Sequence, residues 1–349
     1  MSKKSLSKLF KEYESDIVTK PISRKPDDHI FISDGLNTFI RAFAVNPSMN
    51  EDGSHIGGIV GFLKSIRFGI NKFKPTRCVI VFDGKNGSKK RRKLYPQYKI
   101  GRGVSSRLNR TVDWTMTPTD EAESMRIQLV RLVEYLEHLP ITVISVDGVE
   151  ADDVIGYLTN TTLKDSKCTI MSTDKDFLQL VSDRVELYSP TKKITYNEEL
   201  VKKEFGVYPQ NMLTCRTVEG DKSDNITGVR GIGAKTMIKE YPMLSENQKF
   251  DVKMLIDSAN SKSTRISNII KDSQMVIKRN YILMQLYDPD IPNHTKLKIT
   301  DAIREYKPTI VKYKLQRLLV EDKLWGHIPN FDNWITEFML LRHYWNNKK

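Results

Sequence analysis

Residues 141–162 read Ile141-Thr142-Val143-Ile144-Ser145-Val146-Asp147-Gly148-Val149-Glu150-Ala151-Asp152-Asp153-Val154-Ile155-Gly156-Tyr157-Leu158-Thr159-Asn160-Thr161-Thr162. The first six are rich in β-branched residues, as a buried strand requires. Gly148 supplies a turn, and a helical pattern runs over 151–162. A strand that feeds a helix in this way is half of a βαβ unit, and the pattern continues outward in both directions. Upstream lie a helical pattern at 121–138 with Leu129, Val133 and Leu136 on one face, an apolar run at 78–82, a helix at 56–73 and a run at 30–33. Downstream lies the run 168–172, and 185–196 adds a further strand or hairpin. Strands alternating with helices predict an α/β fold with a central, mostly parallel sheet flanked by helices. From 197 onward the pattern is helical, broken by a glycine-rich turn at 228–233. The expected organisation is a polar extension (1–27), a core (28–196) with a basic polar stretch at about 85–120, a helical region (197–297) and a helical tail (298–349).

The acids fall where such a sheet would gather them. Phe31-Ile32-Ser33 leads into Asp34, Val79-Ile80-Val81-Phe82 into Asp83, the run ending at Val146 into Glu150, and Ile170-Met171-Ser172-Thr173 into Asp174. Asp152 and Asp153 follow Glu150, and Asp176 follows Asp174. Any one of them reads equally well as a helix N-cap or a solvated turn residue. Together they do not. Acids fill 43 of 349 positions, so four at four strand ends have a chance probability of about 0.0002, or about 0.02 if cap preference triples the rate. The carboxyl ends of parallel strands form one edge, where ligands bind. Seven carboxylates there would repel one another unless cations neutralise them. No His or Cys joins the set, which selects Mg²⁺ or Mn²⁺ over Zn²⁺. That many acids suit two ions about 3.5–4 Å apart, the arrangement for phosphodiester hydrolysis.

Composition agrees with a phosphate-directed chemistry. Lys and Arg number 56 against 43 acids, a net charge of +13 with pI near 9.4, which suits a polyanionic partner. Hydrophobic residues at 39% exclude a disordered chain. Cys78, Cys168 and Cys215 are odd in number and read as core thiols in a reducing compartment. No uncharged stretch long enough to span a bilayer occurs, so a cytoplasmic protein without membrane contact is expected. Gly228-Val229-Arg230-Gly231-Ile232-Gly233-Ala234-Lys235-Thr236 nearly matches a phosphate-binding Walker loop, but Ala234 separates Gly233 from Lys235 and no clear strand precedes it, which argues against an ATPase.

Ser33-Asp34-Gly35, Val81-Phe82-Asp83-Gly84, the segment 148–156, Ser172-Thr173-Asp174-Lys175-Asp176 and Gly220-Asp221-Lys222-Ser223-Asp224-Asn225-Ile226, followed by the glycine-rich turn, resemble in order the flap endonuclease and 5′–3′ exonuclease family. They are most similar to the 5′-nuclease domain of bacterial DNA polymerase I and to phage flap endonucleases, including phage RNase H. The resemblance implies a PIN-like 5′-nuclease core, a helical arch within 85–120 and a helix-three-turn-helix DNA-binding motif. It implies a first metal among Asp34, Asp83, Glu150, Asp152 and Asp174, and a second served by Asp153, Asp176, Asp221 and Asp224. Lys99 and Arg102 match the basic pair at the arch base, and Arg91 suits a third basic position; otherwise these are a solvated basic loop. Gly231 and Gly233 would let DNA approach the backbone, with Lys235 and Lys239 adding charge and K⁺ held by turn carbonyls. Phe39 and Arg41 match a gateway where bases unstack, while Phe39 and Phe43 at i and i+4 also suit core packing.

By the same resemblance the activity would be Mg²⁺-dependent (Mn²⁺ substituting) flap endonuclease and 5′–3′ exonuclease cleavage, with RNase H activity on RNA–DNA hybrids. Branched or nicked duplex DNA would be the substrate, and primer and flap removal in replication the task. A free-standing monomer, plausibly from a bacteriophage and acting in the host cytoplasm, is expected. The tail aromatics Trp325, Trp334, Phe338, Tyr344 and Trp345 suit either helix packing or docking of a replication protein such as a single-strand-binding protein.

Overall fold

The computed structural model describes residues 27–101 and 107–346, with side chains described as far as Leu341. The expectations for residues 1–26, for Arg102 and for the side chains of Tyr344 and Trp345 lie outside the described residues. Six strands form the main sheet: β1 (His29–Asp34), β2 (Arg77–Asp83), β3 (Thr142–Val146), β4 (Lys167–Met171), β5 (Val185–Ser189) and β6 (Ile194–Tyr196). Their spatial order is β3-β2-β1-β4-β5-β6. The first five are parallel and β6 closes one edge antiparallel to β5. From β1 the chain builds outward through β2 and β3, then returns to add β4 and β5 on the other side. The reversal lies between β1 and β4, and at that switch point the strand ends splay into a crevice.

Side-chain alternation explains why the central strands read as unbroken apolar runs. Ile30, Ile32, Val79, Val81, Cys168 and Ile170 face one core, whereas Phe31, Cys78, Ile80, Phe82 and Met171 face the other. Both faces are covered, so the runs are mostly apolar and their polar residues, such as Ser33 and Thr169, are themselves fully buried. The helices of the first half are α1 (Gly35–Val45), α2 (Gly57–Phe73), α3 (Lys89–Leu94), α4 (Glu121–Glu137) and α5 (Ala151–Tyr157). The buried stripe of α4 is Ser124, Gln128, Leu132, Tyr135 and Leu136, rotated from the expected one because Gln128 turns inward to donate to the His55 carbonyl at 2.8 Å and accept from Gly58 N at 2.9 Å. The helix expected over 151–162 is α-helical only to Tyr157 and continues as a π-turn to Thr162. Among the described residues of 85–120, helix is confined to α3; 107–120 is irregular, pinned by Asn109 to the Phe43 and Asn46 carbonyls and by Trp114 stacked on Phe43.

The second half contains α6 (Glu198–Phe205), α7 (Pro209–Glu219), the two-residue ladder β7 (Gly220–Asp221) with β8 (Ile226–Thr227), α8 (Ala234–Glu240), α9 (Val252–Asn260), α10 (Arg265–Asp272), α11 (Gln274–Met284), α12 (Asn293–Arg304), α13 (Lys312–Glu321) and α14 (Phe331–Asn346). Helix α12 runs straight through residue 298, where a boundary was expected. Phe331, Trp334 and Phe338 are buried in the same core as Phe31 and Phe82, so this part of the tail completes the core that backs the main sheet. Arg67 on α2 grips Glu337 through two hydrogen bonds, and Arg131 on α4 reaches Asp322 and Glu321. Trp325 alone of the described tail tryptophans is exposed, at 48%. No described helix is long and apolar enough to cross a membrane.

Candidate active site

Each acid is delivered by the strand or turn that ends beneath it. Asp34 closes β1 and caps α1: its Oδ1 accepts from Asn37 N at 3.1 Å and its Oδ2 from Ser172 Oγ at 3.2 Å. Asp83 ends β2 and accepts from Ala151 N at 2.7 Å, which seats the start of α5. Asp174 caps the 3₁₀ turn Lys175–Leu180 and accepts from Asp176 N at 2.8 Å. Asn37 bridges α1 to the loop after β4 through Thr173 Oγ1 at 2.8 Å. The crevice of the switch point is therefore stitched shut beneath the acids.

Electrostatics divides the acids into three groups. Asp34, Asp83, Asp152 and Asp174 act on one another as like charges. Burial, then repulsion from Asp83 and Asp174, pushes Asp34 up to about 7. Burial, then Asp174 and Asp34, hold Asp152 well above the usual carboxylate range. In the second group Arg91 forms ion pairs with Glu150 and Asp153, and Lys99 with Glu150. Burial would raise Glu150, but the guanidinium and ammonium beside it pull it below its ordinary value. Tyr98 adds its hydroxyl to Glu150 at 3.2 Å and stacks under Lys99, 5.0 Å from the ring centre. In the third group Arg216 bridges Asp176 and Asp221. Burial and Asp174 still raise Asp176 to about 7 against the pull of Arg216, while Ser223 and Arg216 bring Asp221 below its ordinary value despite its burial. Lys99 Nζ stands 4.0 Å from Asp224 and its backbone N–H donates to the Asp224 carbonyl at 2.9 Å.

Among the described residues no three His, Cys, Asp or Glu side chains form a preset ligand cage. Glu150, Asp153, Asp176 and Asp221 turn carboxylate oxygens towards Arg91, Lys99 and Arg216, whereas Asp34, Asp83 and Asp174 accept from backbone N–H groups. The donor set is nonetheless all oxygen, and buried carboxyls such as Asp34 and Asp152, raised by burial and then by neighbouring acids, are relieved by a hard divalent cation. The four acids of the first group fit such an ion.

A model of the 5′–3′ exonuclease N-terminal resolvase-like domain matches residues 29–206, more than half of the chain. The chain belongs to the 5′–3′ exonuclease family. It is 34% identical over 211 residues to a 5′–3′ exonuclease of Aquifex aeolicus, spanning 60% of this chain and 67% of that one. To DNA polymerase I of Bacillus subtilis it is 32% identical over 217 residues, 60% of this chain but only 23% of the polymerase. The bacteriophage T5 flap endonuclease, solved with DNA and metal ions, shares the fold with a TM-score of 0.60 at 19% identity, over 84% of this chain and 99% of that one.

Outside the acid edge, this 5′–3′ exonuclease family member exposes Gly231 and Gly233 on the turn before α8, and Lys235 and Lys239 on α8 itself. Gly231 has φ +81°, a left-handed conformation that needs glycine, and nothing would crowd a side chain there. Gly233 has φ −117°, so its value is open space rather than backbone freedom. Phe39 requires correction: it is fully buried, against Phe43 at 6.1 Å, so the apolar face of α1 takes it into the core and away from any gateway. Arg41 is half-buried and donates to Ser65 Oγ at 3.1 Å. Arg216 and Tyr98 went unnoticed in the sequence; an arginine five residues before Asp221, in the last turn of α7, was the signal for the first.

Proposed function

We propose that the chain is a Mg²⁺-dependent structure-specific 5′ nuclease that cuts 5′ flaps and ends of branched or nicked duplex DNA and of RNA–DNA hybrids. The observation that carries this reading is the group Asp34, Asp83, Asp152 and Asp174, four mutually repelling carboxylates on the switch-point edge of a 5′–3′ exonuclease family sheet. With two Mg²⁺ (or Mn²⁺) bound, the metals would supply a nucleophile at neutral pH and stabilise attacking and leaving oxygens in line. Asp34, Asp83, Asp152, Asp174 and Glu150 are the proposed ligands of the first ion; Asp153, Asp176, Asp221 and Asp224 serve the second or its waters. Lys99, held at the acid edge by Glu150 and kept protonated by Asp152, Glu150 and Asp224 against the cost of burial, would stabilise charge developing on the scissile phosphate. Arg91 is saturated by Glu150, Asp153 and the Leu283 carbonyl, which suits holding the acids rather than touching DNA. Arg102 would join Lys99.

The turn at 228–233 would meet a duplex phosphate, with K⁺ on its carbonyls and Lys235 and Lys239 beside it; such contacts ignore sequence. Arg41 would line the path of the unpaired strand. Among the described tail residues, a replication partner such as a single-strand-binding protein would find Trp325, Met339 and Leu340 exposed, whereas Trp334 and Phe338 are interior. Primer and flap removal in a bacteriophage or its host would be the task. A 5′-labelled flap incubated with wild type and Asp174→Ala, in Mg²⁺ and in EDTA, tests the reading. Mg²⁺-dependent release of an oligonucleotide by wild type alone is expected. Tight junction binding without cleavage by either protein would overturn it in favour of a non-catalytic junction binder.

A further inference from the structure

Helix α11 lies beyond the residues matched by the family model, yet it is hydrogen-bonded to three groups that hold acids: Arg91, the turn bearing Asp174 and Asp176, and the hairpin bearing Asp221 and Asp224. Its Leu283 carbonyl accepts from Arg91 Nε at 2.8 Å, and Arg91 holds Glu150 and Asp153. Its Met284 carbonyl accepts from Gln179 Nε2 at 3.0 Å, and Leu286 N donates to Gln179 Oε1 at 3.0 Å. Buried Gln179 also donates to the Asp176 carbonyl at 2.8 Å, so the turn bearing Asp174 and Asp176 is fixed to the end of α11. One turn earlier, fully buried Asn280 donates to the Thr217 carbonyl at 2.9 Å and to the Thr227 carbonyl at 3.0 Å. These two carbonyls flank the β7–β8 ladder, between whose ends Asp221 and Asp224 sit.

That ladder pairs only Gly220 with Thr227 and Asp221 with Ile226. Two residue pairs are too short to define their own position in the molecule. Besides Arg216 on Asp221 and Lys99 N on the Asp224 carbonyl, Asn280 supplies a reference from α11: it spends both amide hydrogens on the Thr217 carbonyl of α7 and the Thr227 carbonyl at the end of β8. Arg279 locks the amide in that orientation, donating to Asn280 Oδ1 at 2.9 Å and to the Thr227 carbonyl at 3.1 Å, with its guanidinium 4.2 Å from the Tyr95 ring centre.

We propose that Asn280 is a positioning residue of the metal site, which through the Thr217 and Thr227 carbonyls sets the distance between Asp221 and Asp224 on the hairpin and the strand-end acids that Gln179 and Arg91 tie to the same helix. This rests on the reading of the acids as a divalent-metal site. Asn280 touches neither substrate nor metal. Leucine at this position keeps the branched shape of asparagine with bulkier ends and removes both donors, so α7 and the hairpin lose their common tie to α11 while Arg279 still reaches the Thr227 carbonyl.

The test measures Mn²⁺ binding to the full chain by titration calorimetry, with the thermal midpoint recorded alongside, for wild type, Asn280→Leu, Asn280→Ser and Ile277→Ala. Ile277 is a fully buried apolar residue of the same helix and reports plain loss of packing. Asn280→Leu is expected to weaken Mn²⁺ binding by about tenfold or more, as loss of supporting hydrogen bonds around a metal site does. Asn280→Ser, which retains one donor, falls between it and wild type. Ile277→Ala, with its thermal midpoint lowered, binds Mn²⁺ as wild type does. Equal weakening in Ile277→Ala and Asn280→Leu, or wild-type affinity in both Asn280 variants, would overturn the proposal. Wild type that binds no Mn²⁺ would overturn the metal-site reading itself, and this inference with it.

Discussion

Asp34 shows at the scale of one side chain how the sheet stores electrostatic energy. Its carboxyl is buried beside Asp83 and Asp174, which raises it from 3.8 to about 7. The folded chain thus holds the proton more tightly than the unfolded chain does. The stability gained from that proton is present below about pH 4 and is lost as pH rises through about 7. In metal-free protein, wild type should therefore lose stability relative to Asp34→Asn as pH is raised over that window, and Mg²⁺ at pH 8 should restore wild type more than the variant. Thermal unfolding of both proteins in EDTA and in Mg²⁺ checks this; parallel pH profiles would refute it. Position along the sequence exposed these acids, because a strand end is a place that periodicity can locate. Phe39 was not legible in the same way: four residues before Phe43, it suited a core or a gateway equally, and only the fold, with α2 packed across α1, decided for the core.

Elements were legible where one period dominated and less so where a polar contact overrode it. The strands β1 to β4 were plain because runs covered on both faces are mostly apolar and rich in β-branched residues, with only a few small polar residues such as Ser33 and Thr169 among them. The stripe of α4 was misjudged because Gln128, polar and therefore assigned outward, is buried to serve His55 and Gly58. In α14 the aromatics fitted packing and docking alike; contact with α2 settled Trp334 and Phe338 as packing. Phe338 is wholly buried in the core that backs β1 and β2. Phe338→Ala should cost about 3–5 kcal/mol of unfolding free energy, the usual loss for a buried phenylalanine. Urea unfolding measures it, and a loss below about 1 kcal/mol would mean that α14 is dispensable to the catalytic half.

At the scale of the molecule, charge and topology act together. The chain carries a net +13, yet the acid edge holds a concentrated negative site, while Lys235 and Lys239 stand exposed on α8. Lys235→Ala with Lys239→Ala should weaken duplex binding alike for all sequences and lower the slope of log affinity against log salt by about 1–2, leaving cleavage at saturating DNA little changed. Binding measured across salt concentrations tests this; an unchanged slope would remove both lysines from the interface. The sequence by itself determined the α/β class, the strand-end acids and their oxygen-only chemistry, because periodicity and composition act locally. Only the tertiary structure decided which acids face one another bare, which are tied to Arg91, Lys99 and Arg216, and how α11 and α14 fold back on the catalytic half. Most of those contacts join distant residues, from 51 positions apart for Lys99 and Glu150 to 107 for Gln179 and Leu286 and 270 for Arg67 and Glu337, and no local pattern in a single chain encodes them.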